Sequence, residues 1–137
     1  MNTPPPRISI ITICYNASHT ISRTLRSIQA QTYNDLEYLV IDGASRDNTL
    51  DLVRTLAPRA LVHSERDQGI YDAMNKGLSH ATGDYIWFIN AGDALPSPTT
   101  VEEIVGEACL NGARPDIIYG DTRLIDSESR DLGLRRL

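Results

Sequence analysis

SERDQGIYDAMNKGLSHATGDYIWFINAGD, Ser64 to Asp93, decides the reading of this chain. A turn flanked by acidic residues leads into a short helix. An aromatic strand follows, then an Asn-Ala-Gly-Asp turn. A buried strand that ends in carboxylate and carboxamide oxygens brings hard ligands to the edge of a sheet. A divalent cation and a diphosphate are held at such an edge.

Outward from this segment the chain alternates. Arg7 to Tyr15 is a β-branched run suited to a strand buried on both faces. Ser18 is a candidate N-cap, and Ile21, Leu25 and Ile28 recur at helical spacing to about Gln31. Leu36 to Ile41 is a second strand, ending in the turn Asp42-Gly43-Ala44-Ser45. Asp47 or Asn48 caps a helix carrying Leu50, Val53 and Leu56 on one face and stopped by Pro58. Ala60 to Ser64 is a short third strand. Ile70, Ala73, Met74 and Gly77 form the buried face of a third helix, and Tyr85 to Ile89 is a fourth strand. Ser97-Pro98 opens a helix that ends near Asn111-Gly112. Asp116 to Leu124 reads as a last strand, followed by a charged tail without period. Strands alternating with helices predict an α/β fold with a mostly parallel sheet.

At 137 residues the chain is one domain or a piece of one, and 41% hydrophobic residues suffice for a sizeable core. A net charge of -5 argues against a nucleic-acid partner. It leaves phosphate ligands open, because backbone N–H groups and a metal bind them without net positive charge. Cys14 and Cys109 show no zinc or redox spacing and read as buried thiols. The start, MNTPPPR, lacks the apolar core of a signal peptide, and no apolar run is long enough to span a bilayer. The chain reads as cytoplasmic, with attachment at the inner face of a membrane left open. Residues 1–6 and 127–137 are expected to be flexible ends. A last strand without a covering helix suggests the front part of a larger domain, and a bare sheet edge favours self-association.

In an open parallel sheet, ligands bind beyond the carboxyl ends of the strands. Tyr15 and Asn16, Asp42 and Ser45, Glu65 to Gly69, Asn90 to Asp93, and Asp121 lie at those ends. Each has a plainer alternative. Asp42 and Asp93 are also ordinary turn residues, Tyr15 can simply pack, and Arg66 suits a solvated surface. His19, His63 and His80 have no triad or metal spacing and read as non-catalytic. No GxGxxG follows the first strand, and neither a P-loop nor a GxSxG elbow is present. Dehydrogenase, P-loop and common hydrolase readings therefore fall away.

Five stretches in order, ISIITICYN, SIQAQTY, LEYLVIDGASRDNT, the segment Ser64 to Asp93, and DIIYGDTRLID, resemble a family 2 inverting glycosyltransferase of GT-A fold. The resemblance covers Arg7 to about Asp126, and DIIYGDTRLID resembles a strand of members acting in bacterial polysaccharide pathways. It implies that the backbone near Ile13 and the side chains of Tyr15 and Asp42 hold uracil, or another base, and its ribose. Asp67 and Gly69 would lie by the donor. Asp93 would bind a divalent cation, Mn2+ or Mg2+, that bridges the diphosphate of a nucleotide-sugar. Asn90 occupies the first acidic position of the family's DxD motif, where it offers an oxygen without charge. The implied reaction moves a hexose, from a UDP-sugar first of all, to a polysaccharide or lipid-linked acceptor. The family's catalytic base belongs to an acceptor-binding half, so it is expected beyond residue 137 and no residue here receives that role. A nucleotide-sugar-binding module without turnover remains the alternative. A nucleotidyltransferase wants a Gly-rich basic loop after strand one, which Tyr15-Asn16-Ala17-Ser18 does not supply. A flavodoxin-like regulator is disfavoured by the acidic turn after strand four.

Overall fold

The computed structural model describes residues 3–136. Four parallel strands form the central sheet in the order β3-β2-β1-β4. They are β1 (Ile8–Cys14), β2 (Leu36–Asp42), β3 (Leu61–Ser64) and β4 (Tyr85–Phe88). Between and after them run α1 (Ile21–Gln29), α2 (Thr49–Leu56), α3 (Ile70–His80) and α4 (Thr100–Ala108). β1 lies at the centre, Ile8 beside Leu36 on one side and Tyr85 on the other. This explains its unbroken apolar run, since both faces are covered.

Side-chain alternation divides the core. Ile8, Ile10 and Cys14 of β1 and Tyr38 and Val40 of β2 pack with Ile21, Leu25 and Ile28 of α1, Val53 of α2, and Val101 and Val105 of α4. Ile11, Leu39 and Ile41 face the other way, toward Ala73 of α3. A methyl group built on Gly77 would lie 2.7 Å from Ile11 Cγ2, so the glycine lets α3 settle onto the sheet.

A polar cluster sits on the α3 face near the amino ends of the strands. Glu37 is nearly buried. It accepts hydrogen bonds from the Ser9 hydroxyl, the Thr82 backbone N–H and the Thr82 hydroxyl at 2.7–2.8 Å, and Arg7 Nη2 lies 3.6 Å away. Burial opposes its ionisation, but the Thr82 and Ser9 hydrogen bonds and the Arg7 charge outweigh that, so its pKa lies below the ordinary 4.5. A carboxylate whose folded pKa is depressed stabilises the fold above its unfolded pKa. That contribution disappears as pH falls through the folded value. Urea midpoints measured from pH 7 down through pH 4 are therefore expected to fall more steeply for the wild type than for Glu37→Gln. Parallel profiles would show that Glu37 carries no such linkage.

Several expectations shift. α1 begins at Ile21 behind Thr20 rather than at a Ser18 cap, and ends at Gln29. Asn48 occupies the cap position of α2 without a side-chain bond. The neighbouring Asp47 carboxylate instead accepts the Thr49 backbone N–H at 3.0 Å. α4 starts after Thr99, because Ser97 and Pro98 form the preceding turn, with the Ser97 carbonyl accepting from Thr100. Ile70, expected on the buried face of α3, is 49% exposed, and the close approach at Gly77 leaves Ala73 and Gly77 as that face. Cys109 is only partly buried.

The largest correction concerns the last strand. Residues 116–121 are not in a strand, and Ile117 and Tyr119 are 78% and 80% exposed. They face the β4 edge across a cleft of about 720 Å³. No backbone ladder closes that cleft, and apolar alternation cannot make a strand without one. Only β5 (Thr122–Ile125) is extended, paired antiparallel with β6 (Asp131–Arg135) in the stretch expected to be an irregular tail. Asp126 holds the hairpin turn by accepting the Glu128 and Arg130 N–H groups, and Arg23 of α1 donates to the Asp126 and Ser127 carbonyls. Of the ends expected to be flexible, residues 1, 2 and 137 lie outside the described residues. Pro6 is buried, its carbonyl accepting from the Tyr33 hydroxyl.

Candidate active site

Two groups of side chains form at the carboxyl ends of the strands. In the first, Tyr15 and Asp67 meet over Gly43. A methyl built on Gly43 would lie 2.8 Å from Asp67 Oδ2 and 3.4 Å from Tyr15 Cδ2. Tyr15 is 62% exposed, so its ring can stack a planar ligand. The loop after β1 is clasped to the loop after β2. Asn16 N–H donates to Ser45 Oγ, and Asn16 Oδ1 accepts from Arg46 N–H, at 2.8 and 2.9 Å. Asp47 Oδ2 accepts from Ser18 N–H. The Thr49 hydroxyl above all, with the Thr49 and Ser18 N–H groups, holds the Asp47 carboxyl down at about 2.

Asp42 lies beneath this group and is fully buried. Its Oδ1 accepts from Ser45 Oγ at 2.5 Å and from the Cys14 thiol at 3.6 Å. Its Oδ2 accepts from Ser45 N–H at 2.9 Å and Ser64 Oγ at 2.7 Å. The carboxylate thus ties together the ends of β1, β2 and β3. Burial, followed by the Asp42 charge and its hydrogen bond, pushes the Cys14 thiol up and keeps it protonated.

Gly69 places the entry to α3. Its φ of 110° is closed to most side chains, and its N–H donates to Asp67 Oδ1 at 3.0 Å. Lys76, one helical turn beyond Asp72, donates to the Arg66 carbonyl at 2.7 Å and pairs with Glu65 and Asp72. This lysine braces the Arg66-Asp67 turn.

The second group is the turn Asn90 to Asp93. The Ile13 carbonyl accepts from Ala91 N–H at 3.5 Å, which attaches the turn to β1. Thr24, fully buried on α1, donates to the Asp93 carbonyl at 2.6 Å and accepts from Gly92 N–H at 2.9 Å. The Asp93 residue is exposed, and its carboxylate accepts no hydrogen bond among the described residues. Asn90 Oδ1 is buried and has no partner among them. Such an orphaned acceptor is free for a ligand or an ordered water.

Sequence reading brought forward Ile13, Tyr15, Asp42, Asp67, Gly69, Asn90 and Asp93, and all lie at this one edge. It missed Thr24, whose signal was a polar residue within the apolar stripe of α1, where a buried hydroxyl must find partners. It also missed Ser64 as an Asp42 partner. His63 and His80 stack on one another, with centroids 3.7 Å apart, between β3 and α3.

No cluster of three or more His, Cys, Asp or Glu side chains that could hold a metal by itself occurs among the described residues. The donor set does fit a cation that takes the rest of its ligands from phosphate oxygens. Such ions need only one or two carboxylates from the protein. Asp93 supplies one, and the unpartnered Asn90 oxygen lies in the same turn.

A parallel sheet with helices on both faces and oxygen-bearing side chains gathered at its carboxyl edge is the arrangement in which open α/β folds bind their ligands. A family model described as glycosyl transferase family 2 matches residues 9–137, and the chain belongs to that family. A PGL/p-HBAD biosynthesis glycosyltransferase of Mycobacterium bovis is 38% identical over 121 residues, covering 85% of this chain and 46% of that protein. The chain thus spans about half the length of the curated relatives it matches. Among solved structures, the mannosyltransferase PcManGT from Pyrobaculum calidifontis, in complex with GDP-Man and Mn2+, superposes with a TM-score of 0.68 at 30% identity. That match covers 80% of this chain and 34% of the other. Glucosyl-3-phosphoglycerate synthase from Mycobacterium tuberculosis, in complex with Mn2+, UDP and glucosyl-3-phosphoglycerate, gives 0.61 at 25% identity, covering 78% and 40%.

Proposed function

We propose that this chain forms the donor half of an inverting, metal-dependent glycosyltransferase that uses a nucleotide-diphosphate sugar, a UDP-hexose first of all. The convergence of an exposed Tyr15, the Asp67 carboxylate over Gly43, and the Asn90–Asp93 turn with its orphaned oxygen carries this reading. Tyr15 stacks the base, Gly69 and Asp67 line the donor, and Asn90 and Asp93 hold the cation, Mn2+ or Mg2+. Binding of Mn2+ with a nucleotide-sugar or nucleotide in the two structural relatives supports the cation. When bound there, the cation would supply Lewis-acid neutralisation of charge on the departing diphosphate. The chain's own residues orient the anomeric carbon by fixing base and diphosphate at two separate points. Inversion needs a base at the acceptor hydroxyl, and that role is given to the acceptor half rather than to any residue here.

The acceptor is proposed to be a glycan or a lipid-linked sugar, met in the cytoplasm at the inner face of a membrane. No helix among the described residues is long and apolar enough to cross a membrane. Incubation with UDP-glucose and Mn2+ tests the activity. The expected result is UDP binding by calorimetry with little release of UDP from the sugar. Rapid release would show that the chain carries its own catalytic machinery. Absence of binding, with or without metal, would overturn the donor-site reading.

A further inference from the structure

We infer that Asp67, and not Asp42, reads the edge of the nucleobase, and that it selects bases presenting an imino N–H, uracil or guanine, over cytosine or adenine. This rests on the donor-site reading above and names the base class that the site takes.

A carboxylate offers about four acceptor positions. Those of Asp42 receive Ser45 Oγ, Ser45 N–H, Ser64 Oγ and the Cys14 thiol, and the residue is 0% exposed. Nothing remains for a ligand. Asp42 is a positioning residue that clamps three strand ends. Asp67 differs. Its Oδ1 accepts from Gly69 N–H, while Oδ2 has no donor among the described residues. That free oxygen stands over Gly43, beside the exposed ring of Tyr15. It occupies space that any side chain at position 43 would need, because a Cβ there comes within 2.8 Å of it. Glycine at 43 therefore lets a carboxylate from 24 residues further along take the place a side chain just beyond β2 would otherwise fill.

A carboxylate oxygen only accepts. Uracil N3 and guanine N1 carry a proton and donate to it. Cytosine N3 and adenine N1 present a lone pair instead, which the carboxylate repels. A site built to bond one N–H disfavours an analogue lacking it, because the half-buried Asp67 oxygen is then left facing a lone pair.

The test is calorimetric titration of the full chain with UDP, CDP, GDP and ADP in Mn2+. UDP is expected to bind at least about 10-fold more tightly than CDP, and GDP more tightly than ADP. In Asp67→Asn the carboxamide can donate to cytosine N3, so the UDP to CDP preference is expected to fall by about 10-fold or more, with the thermal midpoint unchanged. Gly43→Ala, by displacing the carboxylate, is expected to lower the same ratio. Asp42→Asn is expected to lower stability and leave the ratio of the folded protein where it was. If Asp67→Asn keeps the wild-type ratio, or if Asp42→Asn shifts it, the assignment is wrong while the donor site stands. If the wild type binds none of the four, the donor site itself falls and the assignment with it.

Discussion

Asp93→Ala is expected to abolish the metal dependence of UDP binding and to weaken binding in Mn2+ by at least about tenfold. Loss of groups that merely support a metal ligand already costs about 10–100-fold, so loss of the charged ligand costs no less. The fold should not notice. Thr24 and Asn90 engage the backbone carbonyl and N–H of Asp93, and its carboxylate bonds to nothing among the described residues. Thermal midpoints of variant and wild type should therefore agree, while titrations with and without Mn2+ coincide for the variant alone. Undiminished Mn2+-dependent affinity would place the cation elsewhere. Asn90→Asp tests the same turn from the other side. It restores the charge that the carboxamide lacks.

Gly83→Ala is expected to be the most damaging small substitution for stability. Gly83 lies where the connection from α3 to β4 crosses the start of β1. Its N–H donates to Ser9 Oγ at 2.8 Å. A methyl built there would sit 2.7 Å from the Ser9 backbone nitrogen and 3.0 Å from the Arg7 carbonyl. A side chain could rotate away, but these are backbone atoms of the central strand. Relief requires β1 or the connection to move, at a cost of about 1–3 kcal/mol for overpacking alone. Displacing Thr82 would also cost Glu37 two hydrogen bonds. For a domain of this size the thermal midpoint should drop by roughly 5–15 °C. A midpoint within a degree or two of wild type would mean that this crossing yields more readily than its contacts imply.

Local signals made the sheet legible. The β-branched run of β1, the apolar run of β2 and the aromatic strand β4 each carry their own pattern, and their alternation with helices fixes the α/β class. The site was legible as a set of loop ends for the same reason, because ligands gather at the carboxyl edge of such a sheet. What stayed hidden depends on contacts distant in sequence. Nothing in Asp42-Gly43 announces that Ser64 and Cys14 saturate one residue while Asp67 fills the space above the other. Thr24 reads as an interruption of a stripe until the Asn90–Asp93 turn is seen resting on it. Asp116 to Asp121 failed for a different reason. Its pattern suits a strand, but strand formation is decided by a backbone partner, and the β4 edge stands across an open cleft.

Everything proposed for this chain depends on a metal-assisted nucleoside-diphosphate site at the carboxyl edge of the sheet. Titration of the wild-type chain with UDP, in Mn2+ and in excess chelator, tests it most directly. Saturable one-to-one binding is expected in Mn2+, with a loss of about tenfold or more in affinity in chelator. Equal affinity in both, or no binding in either, would contradict it.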